Sequence, residues 1–275
     1  MSGIITQHTC DVRGLTLHYR EVNRGAGLPL ILLHPSPRSS AMFEPLMAMF
    51  PVTQHVIAID TPGYGLSPPM PTPAQAIADY LPTLRGMFRQ IAGPQFSLYG
   101  SATGAQLALG YANAYAGEVA HLLLDNAAHF EDAERDAIMS RYFIDITPRE
   151  DGGHLNALRQ MCRQSLQYFP WFEVNDAHRF RTTVPSDAEV EAAMHDYLAA
   201  GPRYAEAYRA AFLHERAQHY QSLDVPTTLF RWRGSLLLKQ IDALLKFSLP
   251  ANITVVDVPA PMADRYAAII NAATR

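Results

Sequence analysis

Tyr99-Gly100-Ser101-Ala102-Thr103-Gly104-Ala105 is the stretch that decides the architecture. It joins a short apolar run, Phe96 to Tyr99, to an alanine-rich segment with helical spacing, Thr103 to Ala116, and sets two glycines four residues apart across the junction. Working outward, Leu28 to Leu33 and His55 to Asp60 are apolar runs without alternation, the pattern of strands buried on both faces of a parallel sheet. Helical spacing separates them over Ser40 to Phe50 and follows them over Pro73 to Ile91. His121 to Leu124 forms a further strand closed by Asp125, and the alternating Leu15 to Asn23 reads as an antiparallel strand near the start. Strand and helix taking turns in this way predict an α/β protein.

The rhythm stops from Phe130 to about Asp224, where the spacing is helical and rich in His, Arg, Tyr and Phe. It resumes with a strand over Thr227 to Trp232, a helix over Leu236 to Phe247, a strand over Ile253 to Asp257 and a helix over Ala263 to Ala273. The expected organisation is therefore one core, 1–129 and 225–275, interrupted by a helical lid over 130–224.

Composition narrows the function. A chain of 275 residues with 48% hydrophobic and 17% charged content can bury a full core, which excludes disorder and low-complexity fibre. Net charge is −4 and no Lys/Arg cluster occurs, so neither nucleic acid nor a membrane surface is an expected partner; a small molecule is. No apolar run reaches the roughly 20 residues of a membrane span, and the opening Met-Ser-Gly-Ile-Ile-Thr-Gln-His lacks a leader pattern, which makes the cytoplasm the expected location. Cys10 and Cys162 lie far apart and offer no metal or disulfide framework, so neither a metal nor another cofactor is expected. A homodimer through the lid stays open.

Three motifs carry a family resemblance. The Gly100-to-Gly104 turn matches the G-x-Nu-x-G nucleophile elbow, in which the middle residue is held strained at the tip and side chains at the glycine positions would collide with the neighbouring strand. His34-Pro35-Ser36-Pro37 ends its strand as an H-G-x-P oxyanion loop does, and Asp60-Thr61-Pro62-Gly63-Tyr64-Gly65-Leu66-Ser67 is similar to a D-x-P-G-x-G-x-S segment. Together these resemble the α/β-hydrolase superfamily, specifically over 15–126 and more loosely over 226–273. The resemblance implies an α/β-hydrolase fold, with a mostly parallel sheet flanked by helices.

It also implies where a catalytic triad would stand, and there the chain departs from the pattern. The nucleophile position is Ala102, whose methyl group cannot attack a carbonyl; Ser101 is one residue off and would point towards the packed sides of the turn. After Trp232 no carboxylate occurs before Asp242, which leaves Asp125, at the alternative superfamily location, as the candidate acid on equal terms with a simple turn cap. A histidine expected around Pro259 to Asp264 is absent, and none occurs after His219. The backbone N–H groups of Ser36 and Thr103 occupy the oxyanion positions, with His34 as a brace and Pro35 replacing the usual glycine. Of the lid histidines, His129 and His154 are the best placed to reach a cleft, while His214 and His219, five apart, should fall on different helix faces. Trp171 in Tyr168-Phe169-Pro170-Trp171-Phe172 offers aromatic lining, and Arg38 either holds a substrate carboxylate or caps a helix.

Three functional readings remain. The first is an enzyme acting on a small apolar acyl or aromatic substrate, by ester, acyl or C–C hydrolysis or related lyase chemistry, in which Ala102 replaces the working tip residue. It is similar to superfamily members with Gly-Ser-His-Thr-Gly at the tip and no late histidine. The second is a non-catalytic small-ligand binder on the same fold, and the third an enzyme using only oxyanion donors and a lid histidine.

Overall fold

The computed structural model describes residues 3–274; Met1 and Ser2, which begin the stretch read for a leader, and Arg275 lie outside the described residues. Its eight strands are β1 (Thr6–Val12), β2 (Leu15–Val22), β3 (Leu30–Leu33), β4 (Val56–Ile59), β5 (Phe96–Ser101), β6 (Val119–Asp125), β7 (Thr227–Trp232) and β8 (Ile253–Val258). They form one sheet in the order β1-β2-β4-β3-β5-β6-β7-β8. β2 is antiparallel to both of its neighbours, and every pairing from β4 to β8 is parallel. The fully apolar runs of β3 and β4 are buried at every position, as strands covered on both faces must be.

Two local readings need correction. β1 was not anticipated: its residues are mostly polar and exposed because it is an edge strand, joined to β2 through Arg13 and Gly14, both at positive φ (52° and 80°) as a tight hairpin turn requires. The helix expected over Ser40 to Phe50 is instead a 3-10 turn, Ser40–Phe43, followed by the short helix Glu44–Met47.

Between β6 and β7 come the helices Asp132–Tyr142, Gly153–Ser165, Asp187–Ala200, Ala205–His214 and Ala217–Gln221. Leu158, Met161, Cys162, Val190 and Tyr197 form a small apolar cluster of their own. Phe130, Tyr142, Phe212 and Tyr220 belong instead to the main core on the sheet, so the near part of this segment is anchored to it. His214 and His219 do not lie on opposite faces of one helix. The helix stops at Glu215 (φ −71°, ψ 71°), and the chain folds back so that the two imidazoles stack, with centroids 3.9 Å apart.

Cys162 is buried and Cys10 half-buried, and both are free thiols. No helix among the described residues is long and apolar enough to cross a membrane, and no group of three His, Cys, Asp or Glu there is arranged to hold a metal ion.

Candidate active site

The β5-to-helix turn is built by close backbone approach. A Cβ on Gly100 would run into the Gly104 carbonyl, and one on Gly104 would run into the carbonyl of Leu33 on the adjacent β3. Between them Ala102 sits at φ 49°, ψ −113°, a conformation that L-residues avoid because Cβ crowds the backbone. Its N–H donates to the Asp125 carbonyl (3.0 Å) and its carbonyl accepts from Gln106 N–H (3.1 Å), fixing the tip between the end of β6 and the following helix.

Ser101, wholly buried, turns sideways. Its Oγ accepts from Asn126 Nδ2 at 3.0 Å and from Arg265 Nη2 at 3.3 Å. Asp125, also wholly buried, accepts at Oδ2 from Tyr99 Oη (2.7 Å) and from Arg265 Nε (2.7 Å). Arg265 projects from the helix Met262–Ala273, just after the last strand, and its guanidinium lies 4.5 Å from the centre of the Trp232 ring. Burial works against its charge, but the neighbouring Asp125 and Tyr99 outweigh burial and raise its pKa above the ordinary value. An arginine thus occupies the acid's side of the site, where the resemblance led us to look for a histidine.

The other two motifs are each held by a buried, hydrogen-bonded side chain, His34 in one and Asp60 in the other. His34 is buried; Nδ1 donates to the Pro35 carbonyl (3.0 Å) and Nε2 accepts from Thr61 N–H (3.0 Å). Burial lowers its pKa, which suits this neutral tautomer. Asp60 accepts from Ser40 N–H (2.7 Å), Leu66 N–H (2.9 Å) and His18 Nδ1 (2.8 Å). Burial alone would raise its pKa, yet these bonds hold it well below the usual carboxylate range.

A cavity of about 420 Å³ opens above the turn tip, within the span of about 300–1,000 Å³ common for small ligands. Of the residues singled out from sequence, Ser36, Arg38, Ser101, Ala102 and Thr103 line it, whereas His34, Asp125, His129, His154 and Trp171 do not. His129 Nδ1 accepts from Ala217 N–H (3.2 Å) and Nε2 is 3.5 Å from Glu131, while His154 Nδ1 accepts from Arg149 N–H (3.1 Å). Trp171 donates to the Tyr142 carbonyl (2.9 Å). Arg38 does not cap a helix; Nη1 donates to Asp196 Oδ2 at 2.8 Å, tying the loop after β3 to the helix Asp187–Ala200. No histidine lines the cavity among the described residues.

Among the described residues the N–H groups of Ser36 and Thr103 bond to no protein acceptor, and Thr103 Oγ1 is buried without a hydrogen-bond partner. The wall includes Phe130, Tyr142, Phe169, Tyr208 and Phe212, together with Glu215. Phe169 belongs to the aromatic stretch read from the sequence as lining; sequence reasoning missed the others, and Arg265 with them. Arg265 stood one position past the loop searched for a histidine, and Glu215 lies in His214-Glu215-Arg216, which reads as solvated charge.

Comparison with known proteins places these features in context. A family model described as "Alpha/beta hydrolase family" matches residues 30–270. A 2-(acetamidomethylene)succinate hydrolase from Mesorhizobium japonicum is 28% identical over 269 residues, covering 93% of this chain and 87% of the relative. A haloalkane dehalogenase from Agrobacterium fabrum is 24% identical over 257 residues, covering 86% and 79%. Among solved structures, a haloalkane dehalogenase from Agrobacterium tumefaciens superposes with a TM-score of 0.72 at 17% identity, covering 98% of this chain and 97% of the other. The Cif epoxide hydrolase from Acinetobacter nosocomialis gives 0.67 at 17% identity, covering 97% and 87%. At such identity the superpositions speak to the fold alone.

Proposed function

The chain belongs to the alpha/beta hydrolase family, and on that premise we propose that its cavity takes up a small, largely apolar or aromatic molecule, accepts its carbonyl or carboxylate oxygen at Ser36 and Thr103, and holds it without forming an acyl-enzyme. The observation that carries this reading is the Asp125–Arg265 pair. A triad needs an imidazole that can accept the nucleophile's proton. A guanidinium stays protonated and cannot do this, and Ala102 supplies no nucleophile. The two uncommitted N–H groups support an oxygen-bearing ligand, because unpaired donors on residues that line a cavity are satisfied by what fills it. Relatives named a 2-(acetamidomethylene)succinate hydrolase and a haloalkane dehalogenase support a small-molecule ligand. Residues 130–224 serve in this reading as the lid over the ligand.

A second reading, an enzyme whose working tip residue has been replaced, is favoured by one observation. The strained backbone of Ala102 costs on the order of 1–3 kcal/mol, and such strain clusters where chemistry uses it. Hydrolysis of 4-nitrophenyl acetate and hexanoate by this chain, Ala102→Ser and Ala102→His separates the two. The binding reading expects no turnover from any of them, since a serine restored at the tip finds no imidazole. Turnover by Ala102→His would transfer the case to the second reading.

A further inference from the structure

Five charged side chains line the cavity: Arg38, Arg181, Asp196, Glu215 and Arg265. Each arginine is answered by a carboxylate, Arg38 by Asp196 (2.8 Å), Arg181 by Glu189 (2.8 Å) and Arg265 by Asp125 (2.7 Å). Glu215 is the exception. It is 4% exposed, Oε2 is shielded and without a hydrogen-bond partner, and its side chain makes no ion pair among the described residues.

The backbone explains why it points inward. Glu215 ends the helix Ala205–His214, with its N–H on the Ala211 carbonyl (3.0 Å) and its own carbonyl accepting from Phe130 N–H (3.4 Å). Pinned on both sides, it shares the cavity wall with an aromatic group. Tyr208 and Phe212 are stacked at 5.6 Å, and Tyr142 and Phe130 each meet Phe212 edge-on at 5.5 Å.

The geometry points to Glu215, among the rings of Phe130, Tyr142, Tyr208 and Phe212, as the receptor for a small organic cation, the ammonium group of an aliphatic or aryl-alkyl amine. This deepens the binding reading above and rests on it, the amine being the second polar end of a ligand whose body fills the aromatic cavity. A carboxyl group buried without a partner either keeps its proton or acquires a positive neighbour. Aromatic faces add attraction for the cation, most strongly where water is excluded. Burial raises the Glu215 pKa well above the usual carboxyl range, so the empty site keeps its proton more tightly than a solvated carboxyl does. Arrival of R–NH₃⁺ converts Glu–COOH into Glu–COO⁻···⁺H₃N–R, and the displaced proton goes to solvent.

The test titrates the full chain and Glu215→Gln with 2-phenylethylamine, 2-phenylethanol and 3-phenylpropionate, followed by calorimetry in buffers of different ionisation enthalpy. The expected result is an amine affinity about tenfold or more above that of the alcohol, with proton release, and loss of both the preference and the release in Glu215→Gln. Equal binding of alcohol and amine, or a preference that survives Glu215→Gln, overturns the inference. Binding of 3-phenylpropionate or the alcohol without the amine overturns it too but leaves the binding reading standing. Failure of all three probes brings down both.

Discussion

Arg265 Nε donates to Asp125 Oδ2 at 2.7 Å from one side while Tyr99 Oη donates to the same oxygen at 2.7 Å from the other. The carboxylate that could have oriented an imidazole is thereby engaged by a cation that does not give up its proton. The pair ties the helix Met262–Ala273 to the end of β6 and presents Nη2 to Ser101, so it stiffens the floor of the cavity.

Removing one partner of this pair should be severe. Asp125→Ala leaves a buried guanidinium uncompensated and should cost about 3–5 kcal/mol, whereas Asp125→Leu combined with Arg265→Met should cost less than the single change. Urea denaturation of the three proteins measures the difference.

The turn tip makes an opposite pair of predictions. Ala102→Gly relieves the strain of φ 49° against a smaller cost in unfolded-state entropy, for a net gain of about 1 kcal/mol. Gly104→Ala drives a methyl into the Leu33 carbonyl and should lose about 3 kcal/mol or more. Thermal melts of both variants read the sign directly.

Arg38 and Asp196 latch the loop after β3 to the helical segment, yet the arginine side chain is 43% exposed. Arg38→Ala should therefore change stability by under about 1 kcal/mol. Release of a bound probe should become several-fold faster, as read by stopped-flow fluorescence of Trp232 in the cavity wall.

Glu215 should make stability fall as the solution becomes more alkaline. Burial raises its folded pKa above the ordinary 4.5, so its contribution is fully present below about that pH and is lost as pH rises towards the folded value. Glutamine does not titrate. The melting temperature of Glu215→Gln should thus match the parent below about pH 4.5 and exceed it by a margin that widens as pH rises towards the raised folded pKa.

The fold was legible because its decisive features are local. Gly100 and Gly104 announce a backbone contact that no other residue permits, and the unbroken apolar runs of β3 and β4 announce burial on both faces. β1 was hidden because an edge strand facing water carries polar residues, as a loop does. Ser36 and Thr103, read from their motifs as oxyanion donors, line the cavity, whereas His129 and His154 do not. Arg265 and Glu215 were invisible for a common reason: their surroundings are assembled from residues distant in the chain, Asp125 for one and, for the other, a wall that includes Phe130 and Tyr142. Nothing in the spacing of His214, Glu215 and His219 tells that the helix breaks between them.

The contacts that shape the turn around position 102 are made by backbone atoms of Leu33, Gly100, Gly104 and Asp125, and none of them involves the side chain at the tip. The contacts that hold the turn therefore do not depend on which side chain it displays there, beyond the strain that any Cβ meets at this backbone conformation. A turn held this way keeps its shape whether its tip carries a reactive group or a methyl, so that its architecture does not by itself report reactivity.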